Sequence, residues 1–550
     1  MYEFSPEEIR TIVRNYLETD SDDFVVVSSS LAAHSTSKVG FMGDHRNLVV
    51  EFRRSADSPS VESKHFFLKT LPAREDSANL PDLVVEGGLF DHEAEFFNRV
   101  APLLKQSLCE AAGGEGDDDD FCPRCYLANG EILVLEDLRD RGYAMCESKL
   151  FGLAELKAAA RALARLHASG LLADLRGDRP LLELYPGAFA EILFTEGTIR
   201  FKRLDLAADL IEALAGKLGR DPSRVRSAVH RGFAVAYRWS DEDRPMKRCV
   251  THGDPWPNNM LVKGSSDEAR VCLVDFQLCR YGPRTIDLAE LVYLSTRRET
   301  REMHEGDVLE AYHRELTRCL GSAAPADSKP SLEDIRGEYE ELRLTAMYLA
   351  LMYLPVICID KKIMSSYTPQ EINDRIVFRQ SNDEIIKIYE SDPEYAARID
   401  DVLGEYIDYL ERIDFPAEYE PITLPDDNDD QQQQQQQHDE ILGDGDAQAG
   451  SKTRPRGRVP WRGISSERHR AEGGAEEQRD DTHEAARCVA SSRLTHSAWE
   501  RPYELSAVRQ LRDREHETDT AVALQALQEV RSRAPLSELS QRTQALTRAQ

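Results

Sequence analysis

The hydrophobic pattern changes period several times along the chain, and each change predicts an element. Ser5-Pro6-Glu7-Glu8 joins a capping-box pair to a proline at the first helical position, which predicts a short amphipathic opening helix. Two β-prone runs follow, NLVVEF at 47–52 and HFFLKT at 65–70, separated by a Ser- and Asp-rich connection as in an antiparallel pair. Helical spacing returns over 88–104, where Phe90, Phe97, Val100 and Leu104 share one face, and EILVLEDL from Glu131 predicts another strand. Between them AAGGEGDDDD at 111–120 reads as a solvated loop, because its like charges repel in any packed setting. From Leu153 the chain turns mainly helical. Leu153, Leu156, Ala160, Leu163 and His167 recur at helical spacing, and Gly170 is the expected end of that helix. Two strands, NNMLVK and RVCLVDF, interrupt this region around a polar KGSSDEA turn, and further helices are expected near 339–353 and 399–410.

After Pro425 the pattern stops. DDNDD, seven consecutive Gln and an Arg-, Glu- and Ser-rich stretch offer too little apolar surface to offset chain entropy. Residues 426–550 are therefore expected to be a disordered tail with one candidate helix at 520–533, and to be either a partner-binding extension or the product of a gene-model error. The ordered part reads as α+β and two-lobed, with a small β-rich N-lobe over 1–138 and a larger, mainly helical C-lobe over 139–425.

Composition narrows the function. With 550 residues the chain is long enough for two or three cores, and a formal charge of −30 argues against nucleic-acid binding, which needs clustered Lys and Arg. The start, MYEFSPEEIR, lacks the basic end and apolar core of a signal peptide. The longest apolar run, from Ala346 to Ile359, is too short to span a bilayer, so a cytoplasmic protein without a membrane span is expected. Ten scattered cysteines fit reduced thiols. Cys122 and Cys125 form a single CPRC with no second pair to complete a zinc site, and read as loop thiols.

The candidate chemistry lies in THGDPWPNNM at 251–260 and in LVDFQ. Phosphoryl transfer needs a cation on the nucleotide phosphates, oxygen ligands for magnesium and a carboxylate to orient the attacking hydroxyl. Asp254 and Asn259 stand five positions apart, the spacing of the catalytic Asp and magnesium-binding Asn of a kinase catalytic loop, and Asp275 follows the next strand. Singly each is a turn residue; together they supply a base and the metal oxygens. Lys69 ends an apolar strand, and Glu93 falls near the centre of the buried face of the 88–104 helix. A buried carboxylate needs a partner, and Lys69 is the obvious one. Gly40 and Gly43 precede a strand as a phosphate-covering turn would, without the full kinase glycine pattern. In LVLEDL, Glu136 and Leu138 would offer backbone hydrogen bonds to adenine. His252 is expected to support the loop, His167 to be a satisfied core histidine, and Asp287 to cap a helix or brace the catalytic loop.

The set FLKTLP, FDHEAEFF, LVLEDL, LARLHA, HGDPWPNNM, LVDFQ and IDLAELV, in that order over about residues 1–420, resembles the ecdysteroid kinase-like or CHK kinase-like family, related to choline kinases and aminoglycoside phosphotransferases. The resemblance implies a protein-kinase-like fold and ATP- and magnesium-dependent phosphorylation of a small-molecule hydroxyl, with ecdysteroids among the proposed substrates. It assigns the base role to Asp254, metal ligation to Asn259 and Asp275, and phosphate contact to Lys69 paired with Glu93. Pro255 directly after Asp254 departs from that pattern. A protein kinase is a weaker reading, because the chain has HGD, DFQ and no APE motif, and Trp256 stands where a protein kinase has a phosphate-contacting Lys. Two further readings compete with it: a choline or ethanolamine kinase, and a catalytically inactive protein holding a steroid or lipid in the same cleft. The Leu-, Met- and Tyr-rich stretch from Tyr339 to Ile359 predicts core packing for most of its residues and an apolar acceptor pocket for the rest.

Overall fold

The computed structural model describes residues 2–33, 43–71, 88–114, 121–146, 148–191, 204–237, 247–377 and 379–413. All of them fall within Met1–Leu424, one compact unit. Gly40 and the tail from 426 onward, including the 520–533 segment, lie outside the described residues, as does 115–120 of the acidic loop.

The opening helix α1 (Pro6–Leu17) forms with its capping box: Ser5 Oγ accepts from the Glu8 N–H, and the Glu8 carboxylate accepts from the Ser5 N–H at 2.7 Å. Its apolar face, Ile9, Ile12 and Val13, closes one side of a five-stranded antiparallel sheet against Leu48, Val50, Phe66 and Leu68. The strands are β1 (Val25–Ala33), β2 (Asp44–Arg53), β3 (Glu62–Thr70), β4 (Cys125–Ala128) and β5 (Ile132–Glu136), in the order β1-β2-β3-β5-β4. Pleating decides the rest. Phe66 and Leu68 of β3 enter the core under α1, so Lys69 points to the opposite face. β1 and β4 are not legible as strands from their own residues. VVVSSSLAA is an exposed edge held by pairing to β2, and CYLA is only four residues long and held by β5.

Across that second face runs a helix longer than its sequence pattern predicts: α2 (Leu89–Glu95), a π-helical turn at Phe96–Val100, and α3 (Ala101–Ala111). The wide turn lets the neighbours Phe96 and Phe97 both bury against Phe276, one stacked at 4.1 Å and the other edge-on at 5.7 Å.

Beyond a short 3₁₀ turn at Leu138–Arg141 and β6 (Ala144–Met145), the chain is mainly helical. At its centre is α4 (Leu153–Arg176), which runs through Gly170 and stops at Gly177. The expected end at Gly170 is thus wrong for a packing reason. A Cβ there would lie 3.0–3.2 Å from Val250, so glycine lets β7 (Arg248–Thr251) close on the helix. Two antiparallel pairs carry the polar loops: the hairpin of β8 (Met260–Lys263) with β9 (Arg270–Leu273), and β7 with β10 (Arg280–Pro283), which brackets that hairpin in the chain. Behind them α7 (Ile286–Ser295) is buried at all ten positions, α9 (Leu332–Ile357) packs against it, and α6 (Pro222–Tyr237) and α10 (Pro393–Leu410) pack against α9 and each other. Between α4 and α6 lies α5 (Leu204–Lys217), and α8 (Arg298–Leu320) runs against α4. Tyr339, Met347, Tyr348 and Leu351 of α9 are core residues, whereas Met352, Tyr353 and Val356 keep partial exposure. No described helix is long and apolar enough to cross a membrane.

Candidate active site

Lys69 is the hub. Its Nζ donates to Glu93 Oε2 at 2.6 Å and to Asp275 Oδ1 at 2.8 Å, with Gln277 Oε1 at 3.4 Å. Burial alone would push this ammonium down, but Asp275 and Glu93 outweigh it, so its pKa is raised and the side chain stays charged. Glu93 uses its other oxygen to accept the Phe276 N–H at 3.0 Å, tying α2 to the LVDFQ segment. Gly43 sits against the same lysine: a Cβ at that position would stand 3.2 Å from Lys69 Cγ and 3.3 Å from Cε. Glycine therefore leaves room for the extended lysine stem.

The loop 251–260 is almost wholly buried, with only Asp254 and Asn258 partly accessible. Asn259 Nδ2 donates to Asp254 Oδ2 at 2.7 Å and to its carbonyl at 3.0 Å, locking the pair that the five-residue spacing predicts. Pro255 is compatible with this arrangement, because the Asp254 carbonyl also accepts the Trp256 N–H at 3.1 Å and the turn closes around the proline. Trp256 is buried in the loop, and Pro257 opens a 3₁₀ turn over Pro257–Asn259. Asp275 adopts φ +67°, a left-handed conformation costing on the order of 1–3 kcal/mol, and the bonds Val274 N–H to Asn259 O and Phe276 N–H to Glu93 bracket it.

A buried network supports the loop from behind. Asp287 accepts the His252 N–H at 2.6 Å and the Gly253 N–H at 3.0 Å, and also meets His167 Nε2 at 3.0 Å. It is not the helix cap, since Thr285 holds that position in α7; of the two readings of Asp287, the geometry matches the bracing one. Burial works to raise its carboxyl, but the bond to His167 and the charges nearby win and hold it below the usual range. His252 Nε2 faces Val274 O at 3.0 Å and its Nδ1 accepts the Asp254 N–H at 3.3 Å, an arrangement for the neutral ring, which burial also favours by lowering its pKa. His167 is a satisfied core histidine, with Nδ1 on Tyr312 Oη at 2.7 Å.

Glu136 closes β5 with its N–H given to Arg124 O at 2.8 Å, and Leu138 buries its side chain against Tyr143 and Cys272. Sequence reasoning overlooked Gln277 beside Lys69, the Phe96–Phe276 stack and Arg280. The signal for Arg280 was present: a lone charge in the apolar run LCRYG. Cys122 is buried, burial pushes the Cys125 thiol up to about 12, and no group of three or more His, Cys, Asp or Glu among the described residues is arranged to hold a metal.

Against known sequences, the profile of the ecdysteroid kinase-like family matches residues 41–324, more than half of the chain. The chain belongs to this family. As an ecdysteroid kinase-like protein it is a small-molecule phosphotransferase, and the matched stretch contains every site residue described above. No curated protein matches the chain. Among solved structures it is similar to the Plasmodium vivax ethanolamine kinase (12% identity, 60% of this chain and 77% of that one, TM-score 0.29). It is also similar to a microcompartment-associated aminopropanol kinase (14% identity, 73% and 98%, TM-score 0.27). A third is the GDP complex of an aminoglycoside 2'-phosphotransferase mutant (12% identity, 74% and 96%, TM-score 0.31). At such low similarity none of them bears on substrate or mechanism.

Proposed function

We propose that this ecdysteroid kinase-like protein moves the γ-phosphate of ATP to a hydroxyl of a small, hydrophobic alcohol such as an ecdysteroid. The observation that carries this reading is the convergence of Lys69, Glu93 and Asp275 from three separate segments onto one ion cluster beside the Asp254–Asn259 pair. Lys69 has the charge and reach to hold nucleotide phosphates while Glu93 fixes its position. Gly43 leaves the Lys69 stem room to reach those phosphates, and the Glu136 carbonyl and Leu138 N–H would take the adenine edge.

The donor set fits magnesium. Asn259 spends its amide N–H groups on Asp254 and keeps its amide oxygen as a hard ligand, and Asp275 has a second carboxylate oxygen beyond the one that meets Lys69. Asn259 and Asp275 would hold the ion, which when bound would supply positive charge against the charge developing on the phosphate. Asp254, partly exposed at the lip of a buried loop, would accept a hydrogen bond from the acceptor hydroxyl, orient it in line with the γ-phosphate and take its proton. Asn259 limits the rotation of that carboxylate, and Asp287 and His252 hold its backbone.

An apolar acceptor is favoured by Met352, Tyr353, Val356 and Ile357, which remain partly exposed near the C-terminal end of a helix whose middle is core. The test is phosphate transfer from Mg-ATP to a panel containing sterols, ecdysteroids, choline, ethanolamine and xenobiotic alcohols, followed by product mass. Turnover on the hydrophobic alcohols is expected; turnover confined to choline or ethanolamine would overturn the acceptor class, and none on any member would overturn the transferase reading.

A further inference from the structure

We infer that Arg280, carried by Glu191, is a positioning residue that clamps the catalytic loop at the Gly253 carbonyl, as Asp287 holds the Gly253 N–H. The inference rests on the phosphotransfer reading, because it concerns the loop that bears Asp254. It begins with Gly253, which has φ +82° and no space for a side chain: a Cβ there would fall 2.0 Å from Leu278 O and 2.9 Å from Arg280 Nε. The loop at that point is pressed against the segment that follows LVDFQ. β10 pairs with β7 so that Arg280 lies opposite Thr251, and Thr251 Oγ1 donates to Arg280 O at 3.1 Å. From this register the guanidinium reaches under the loop, and Nη2 donates to Gly253 O at 2.6 Å.

The peptide that leads into Asp254 is therefore held at every polar atom. Its carbonyl, Gly253 O, takes Arg280; its N–H, on Asp254, meets His252 Nδ1; and the preceding Gly253 N–H takes Asp287. Rotation of the Gly253–Asp254 peptide would swing the Asp254 carboxylate away from the position in which Asn259 fixes it.

Arg280 is 4% exposed, so its charge needs compensation inside the fold. Glu191 supplies it directly, with Oε2 at 3.3 Å from Nη1, and Glu290 of α7, Asp287 and Tyr353 of α9 also face the guanidinium. These groups hold the pKa of Arg280 above its ordinary value despite burial, so the clamp carries full charge at any working pH. A guanidinium suits this task better than an ammonium. Its planar fork can meet a carbonyl and a carboxylate at fixed angles with two different nitrogens. The arrangement also links Asp275 and Asp254 mechanically, since the same segment that carries Asp275 returns five residues later to grip the loop of Asp254.

The test uses the full chain and Mg-ATP hydrolysis, with water as the phosphate acceptor so that the alcohol need not be known. Arg280→Met, Arg280→Lys, Glu191→Gln and Asp254→Asn are compared for kcat, KM for ATP and melting temperature. Misplacing a reacting group by about 1 Å costs roughly 10²-fold in rate. Arg280→Met is thus expected to lose about that much kcat with KM for ATP within threefold, because Lys69 and the phosphate side are untouched. Arg280→Lys, which keeps a cation and a donor, should recover a measurable part, and Glu191→Gln should lose severalfold in kcat with a fall in melting temperature smaller than that of Arg280→Met, because Glu290 and Asp287 still compensate the guanidinium. Where Arg280→Met fails to fold, Arg280→Lys and Glu191→Gln decide: wild-type kcat in both overturns the clamp, as does Arg280→Met within threefold of wild type. A rise in KM with kcat intact would overturn it too. Asp254→Asn separates the two levels. If it abolishes hydrolysis while the Arg280 and Glu191 variants do nothing, only the clamp fails; if it hydrolyses ATP normally, the reading of the loop fails and takes the clamp with it.

Discussion

Replacing Lys69 by Met keeps most of the stem volume and removes the cation that Glu93 and Asp275 share. Asp275 can turn to water, its side chain being 29% exposed, but Glu93 at 1% cannot. A carboxylate stranded there either stays charged, at several kcal/mol, or takes up a proton. The second route caps the loss. Protonating a carboxyl of ordinary pKa about 4.3 costs about 1.4 kcal/mol for each pH unit above it, so about 3.7 kcal/mol at pH 7 and about 1 kcal/mol at pH 5. In the variant the folded pKa of Glu93 is raised above the unfolded one, so stability is retained at low pH and lost as pH rises. Urea unfolding at the two pH values, followed by tryptophan fluorescence, should show Lys69→Met closer to wild type at pH 5 by roughly 2–3 kcal/mol. The double variant Lys69→Met/Glu93→Leu should recover most of the pH 7 loss, while Mg-ATP affinity falls in both. A penalty equal at both pH values, or one that survives in the double variant, would refute the idea that the pair exists to keep a buried charge compensated.

Other outcomes follow from the same geometry. Asp254→Asn should lower kcat about 10²–10⁴-fold and leave KM for ATP within a few-fold, read by steady-state transfer to the best alcohol of the panel; a large KM effect would move Asp254 to the nucleotide side. Gly170→Ala gains about 1 kcal/mol of helix propensity but drives a methyl to 3.0–3.2 Å from Val250, so a net loss of about 1–2 kcal/mol is expected in thermal unfolding. Stabilisation instead would show that β7 can move. His92 is buried with both ring nitrogens lacking a hydrogen-bond partner among the described residues, and burial lowers its pKa below 6.5. The unfolded chain takes up this proton first, so stability should fall on acidification below about pH 6.5, by at most about 1.4 kcal/mol per pH unit. His92→Phe should flatten that slope between about pH 6.5 and 5.5, and an unchanged slope would assign it to other groups.

The chain itself determined those features whose cause is local in sequence. Ser5-Pro6-Glu7-Glu8 specifies α1 through its own hydrogen bonds, the alternation in NLVVEF and HFFLKT specifies β2 and β3, and the five-residue spacing of Asp254 and Asn259 fits one turn whatever surrounds it. Glu93 was legible as a buried carboxylate because helical periodicity alone puts it among Phe90, Phe97 and Val100, and burial of a charge implies a partner. Tertiary structure decided everything that depends on a distant neighbour. β1 and β4 are strands because β2 and β5 offer them hydrogen bonds, Gly170 is a contact surface because Val250 lies on it, and Asp287 braces a loop because α7 packs behind β7. The grip of Arg280 on Gly253 and the meeting of Lys69 with Asp275, 206 residues later in the chain, belong to the same class. A sequence records which groups need partners; only the packed chain determines which partner each one meets, because that choice is made by the register of strands and the crossing of helices rather than by the residue itself.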